Sequence, residues 1–85
     1  MLPRMFTHTD AERTLLAHYE VAYAEWLAAE RAAGQAEADV RVAVAAQAAG
    51  GPAASLEQWE TALRLRAVAE CALDRALKIV RSTPL

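Results

Sequence analysis

The segment "AAGGPAAS", residues 48–55, constrains this chain most, because it is the one strong interruption between two long helix-forming runs. No proline separates Thr9 from Pro52, and Gly34 is the single glycine before Gly50. A glycine inside a helix costs about 1 kcal/mol relative to alanine, too little to break so Ala-rich a run. At the interruption, Gly50 or Gly51 can take the left-handed conformation that closes a helix, and Pro52 then prevents the helix from resuming. "SLEQ" restarts it, with Ser55 as N-cap and Gln58 at the capping-box position. At the front, "TDAE" offers the same device with Thr9 and Glu12.

The expected fold is therefore all-α: an antiparallel hairpin of one long helix, about residues 9–49, and a shorter one, about 55–81. Residues 1–8 read as a loose leader, 50–54 as the turn and 82–85 as a tail, within one helical domain. A bend at Gly34 that folds the chain into three helices is the competing arrangement. Ala is the commonest residue, and it is the least costly residue in a helix. Lys78 and Arg81 suit the negative end of the second helix.

Both helices carry apolar stripes. On the first, Leu15, Tyr19, Ala22, Trp26, Ala29, Ala33, Ala36, Val40 and Ala43 recur at spacings of three and four, with Leu16, Tyr23 and Leu27 beside them. On the second, Ala62, Leu65, Ala69, Leu73, Ala76 and Val80 repeat the pattern, broadened by Trp59, Ala72 and Leu77. Folding at the turn brings Ala29, Ala33 and Ala36 towards Ala76, Ala72 and Ala69, and facing alanines allow close helix approach.

The lengths then disagree, at about 60 Å against about 40 Å. The excess, about residues 10–23, carries Leu15, Leu16, Tyr19 and Tyr23, with Trp26 at its edge. Three of the five aromatics in the chain thus fall within eight positions of one helix. Each such side chain forgoes roughly 1.5–3 kcal/mol if left in water. Leu56, Leu63 and Ala67, flanking Trp59, form a second stripe near the turn. Two hairpins with antiparallel long helices would cover both surfaces, so a homodimeric four-helix bundle is expected. Its interface would use Leu15, Leu16, Tyr19, Tyr23, Trp26, Leu56, Trp59 and Leu63. The other occupant for the overhang is an unrelated protein.

Nothing in the residue pattern is arranged for catalysis, and no cofactor or metal is expected. Paired carboxylates at ExxE or ExxD spacing would mark an all-α metal site. "EQWE" supplies Glu57 and Glu60, but on the polar side, and Glu70 and Asp74 are one residue too far apart. Glu12, Glu30 and Glu37 lie towards the apolar side of the first helix. Neither His8 nor His18 follows a glutamate by three positions, and neither has a nucleophile nearby. Cys71 reads as a small, partly buried filler, and as the single cysteine it forms no internal disulfide. Glu37 and Arg66 are expected to face each other as an ion pair that fixes helix register, with Arg41 one turn away.

Net charge of −2 provides no field for nucleic acid or an anionic membrane. Arg64, Arg75, Lys78 and Arg81 are interleaved with acids, and Glu60–Arg64 and Asp74–Lys78 have the i,i+4 spacing of a solvated face. The longest uncharged run, Val42 to Leu56, is shorter than a bilayer span, and no signal-peptide stretch precedes it. The expectation is a cytoplasmic, non-catalytic assembly or adaptor protein. The alternatives are a nucleic-acid accessory protein using the basic end of the second helix, or a small ligand-binding helical protein.

Overall fold

The computed structural model describes residues 10–82. Helix α1 spans Asp10–Ala48 and helix α2 spans Leu56–Arg81, and no strand occurs among the described residues. The leader, the Thr9 cap and its partnership with Glu12, His8, and the last three tail residues lie outside the described residues. At 1.5 Å per residue the two helices are about 58 Å and 39 Å long. α1 runs unbroken through Gly34, so the three-helix arrangement does not form. Neither helix is long and apolar enough to cross a membrane.

The turn is built as the glycine pattern requires. Gly50 has φ of 96°, its N–H donates to the Gln47 carbonyl at 3.0 Å, and the Gly51 N–H donates to the Ala46 carbonyl at 2.7 Å. These two bonds form a Schellman closure, which satisfies two carbonyls at the end of α1. α2 opens with a complete capping box. The Gln58 N–H donates to Ser55 Oγ at 3.1 Å, and the Ser55 N–H donates to Gln58 Oε1 at 2.9 Å.

The two helices pack antiparallel along a seam of very small side chains. Its buried members are Ala22, Ala33 and Val40 on α1, and Ala62, Ala69, Ala72 and Ala76 on α2. No large side chain is fully buried among the described residues. Alanine against alanine lets the backbones come close, and larger side chains must then leave the contact sideways.

That exclusion corrects the expected stripe on α2. Leu73 and Val80 were expected in the seam, but both are exposed, and Ala72 and Ile79 hold the inward positions instead. The inward series 62, 65, 69, 72, 76, 79 keeps strict alternation of three and four, which tracks a partner helix. Trp59 and Leu77 likewise stand outside it. Cys71 is exposed, not partly buried, because two residues beyond Ala69 is about 200° around the helix.

The overhang is also shorter than expected. Ala22 is already buried, and Glu25 pairs with Arg75, six residues before the end of α2. α2 therefore ends at the level of about residue 19. Leu15 and Tyr19 are half-buried, whereas Leu16 and Tyr23 are exposed.

Candidate interaction surface

The hairpin is a two-helix layer with two unlike faces. Arg66 defines one of them, because its guanidinium reaches across from α2 to two carboxylates of α1. Its Nε donates to Glu37 Oε2 at 3.0 Å, Nη2 donates to Glu37 Oε1, and Nη1 donates to Glu30 Oε2 at 2.7 Å. Glu37 is thus held in a bidentate fork, the strongest geometry open to an arginine–carboxylate pair. These hydrogen bonds hold the Glu37 carboxyl below its usual range, with the charges of Arg66 and Arg41 adding to them against partial desolvation. The same contacts hold Arg66 still further above the range in which it could lose its proton.

Residues seven apart share a helix face. Glu30 and Glu37 therefore stand in one column with Tyr23 and Leu16. On α2, Arg66 stands in line with Leu63, Trp59 and Leu56 towards the turn, and with Leu73, Leu77 and Val80 towards the other end. All six of those apolar side chains are exposed, Leu56 and Leu63 to 73% and 70%. One broad face of the layer is thus apolar at both ends, with the Arg66 clasp in the middle. Tyr19, Tyr23 and Trp26 run along α1 at its edge as a chain of rings, with centroids 6.1 and 5.6 Å apart at successive contacts. Trp26 itself is half-buried.

The opposite face is mainly polar, with Val21 and Val68 exposed among its charged residues. His18, Glu25 and Asp39 line it from α1, and Glu57, Arg64, Cys71 and Lys78 line it from α2, all of them exposed. Arg75 lies 3.7 Å from Glu25 and Lys78 lies 3.1 Å from Asp74, so two of the basic residues near the end of α2 have acidic neighbours. Near the turn, a shallow open cleft of about 170 Å³ lies between Ala36, Asp39, Ser55, Glu57, Gln58 and Thr61.

The structure therefore brings Glu37 and Arg66 together and adds Glu30 as a third member, which residue spacing alone had placed only near the apolar side. Leu56, Trp59 and Leu63 stand on the same broad face as Leu16 and Tyr23. Sequence reasoning missed the continuation of that face through Leu73, Leu77 and Val80. The signal was present as an unbroken alternation of three and four from Leu56 to Val80, hidden because Leu73 and Val80 also fit the alanine seam. Comparison of the chain with protein-family models, curated proteins and solved structures finds no match.

Proposed function

We propose that the chain is a non-catalytic helical assembly protein, which pairs with a second copy through its apolar face into a four-helix bundle. The observation that carries this reading is the inversion of its packing. The alanines are buried, while Leu56, Leu63, Trp59 and the leucines further along α2 remain in water. Exposed apolar side chains gathered on one face of a small protein mark an association surface. A dimer puts two such faces together and completes a core that a single hairpin lacks, and the opposite faces are left to engage another macromolecule. Leu15, Tyr19 and Trp26 then flank the joint.

Light scattering after size exclusion tests the pairing. The chain should elute as a dimer at micromolar concentration, and the combined variant Leu63→Ser, Leu77→Ser should elute as a helical monomer. Both side chains lie outside the alanine seam, so the hairpin itself should survive. A wild-type monomer at about 100 µM, weaker than ordinary dimers of this size, would refute the proposal.

A further inference from the structure

The exposed series on α2 is a second complete seam, and it is palindromic. Its positions 56, 59, 63, 66, 70, 73, 77 and 80 alternate three and four, and they are arranged symmetrically about Val68. Turning a second α2 end for end about that point pairs Leu56 with the partner's Val80, Trp59 with the partner's Leu77, and Leu63 with the partner's Leu73. The same operation sets Arg66 against the partner's Glu70. Antiparallel coiled coils form layers in this way, from one a and one d position.

Charge separates this arrangement from the parallel one. In a parallel pair Arg66 would meet Arg66 and Glu70 would meet Glu70, two like-charge layers in the middle of the seam. Glu70 is four residues from Arg66 on the same helix, yet Arg66 turns instead to Glu30 and Glu37. Glu70 has no hydrogen bond or ion pair with any described residue. Arg66 uses three of its five N–H donors in the clasp, which leaves one on each terminal nitrogen.

The level of the axis is consistent on the other helix. Arg75 stands opposite Glu25, so Val68 stands level with about residue 32 of α1. A two-fold axis there puts Tyr23 of one copy level with the partner's Arg41, an aromatic face against a guanidinium. It puts Leu16 level with the partner's Ala48, large against small.

Resting on the dimer reading above, we infer that the second copy docks antiparallel on this face, α2 against α2, about a two-fold axis at the level of Val68, between Arg66 and Glu70, with Arg66 facing the partner's Glu70. The test uses cysteine pairs in a Cys71→Ser background. Leu63→Cys and Leu73→Cys chains are prepared separately, then oxidised alone and as an equal mixture. The arrangement places residue 63 beside residue 73 of the other copy within disulfide reach. The mixture should therefore give a disulfide-linked pair carrying one of each chain, and neither chain alone should link. Glu70→Lys should weaken association about tenfold or more, with helical content unchanged.

Linking of Leu63→Cys chains with one another would overturn the antiparallel register. A dimer by light scattering that neither links in the mixture nor responds to Glu70→Lys would place the joint on another face, refuting this inference while the dimer reading stood. A monomer would refute both.

Discussion

Gly34 and Gly50 carry the same absent side chain into opposite circumstances. Gly34 sits inside α1 with open space around the position of a Cβ, and its backbone is ordinary helix. Alanine there removes conformational freedom from the unfolded chain and should add about 1 kcal/mol of stability. Gly50 holds φ of 96°, where a Cβ meets the following carbonyl, so Gly50→Ala should cost about 1–2 kcal/mol. Thermal melts followed by circular dichroism should separate the two variants by about 10 °C. Equal melting temperatures would contradict the closure described for the turn.

Glu37 gives the residue scale its pH dependence. Hydrogen bonding to Arg66 favours its charged form in the folded hairpin, so its folded titration lies below its unfolded one. A carboxyl shifted in this direction contributes stability that is complete above the ordinary glutamate range and is lost as pH falls through the folded titration. Wild type should therefore lose melting temperature between pH 5 and pH 3 more steeply than Glu37→Gln, which keeps the shape but carries no titrating proton. Parallel curves for the two proteins would mean that the clasp adds nothing to folding. The pairing itself was legible, since hairpin geometry alone put 37 opposite 66. The third member, Glu30, was not, because its capture depends on how far a guanidinium leans along the helix axis.

Among the elements, helix number, boundaries and direction follow from local chemistry, and so they could be read from residues alone. The Gly–Gly–Pro run, the Ser55 and Gln58 pair and the absence of any other breaker each act within a few positions. Seam composition is harder to read, because three-and-four spacing on α2 supports two neighbouring stripes that share a helix. Distance between the backbones decides which one faces inward, and distance is a property of the pair. Ala33 and Ala69, 0% and 1% exposed, set it. In the monomeric Leu63→Ser, Leu77→Ser chain, Ala69→Leu should force the helices apart and cost about 1–3 kcal/mol, whereas Leu73→Ala, four residues along and outside that seam, should leave the hairpin's packing intact. A hairpin held chiefly by the outer leucines would show the reverse order in chemical denaturation.

For the whole molecule, the consequence of an alanine seam is that association is coupled to folding and adds to the stability of a weakly cored hairpin. Six of the seven buried apolar residues among those described are alanine, and each removes little surface from water compared with a leucine. An isolated hairpin with such a core is marginal, as small chains with little buried area generally are. A second copy supplies burial for Leu56, Trp59, Leu63, Leu73 and Leu77 at once, and anything that binds only the folded state raises its stability by mass action. The melting temperature should therefore climb with protein concentration, by roughly 4 °C for each tenfold increase. In the Leu63→Ser, Leu77→Ser chain the slope should vanish, and the melting temperature should sit at the low plateau that wild type approaches on dilution. A wild-type melting temperature independent of concentration from 1 to 100 µM would show that the hairpin stands alone, its leucines in water without consequence for its folding.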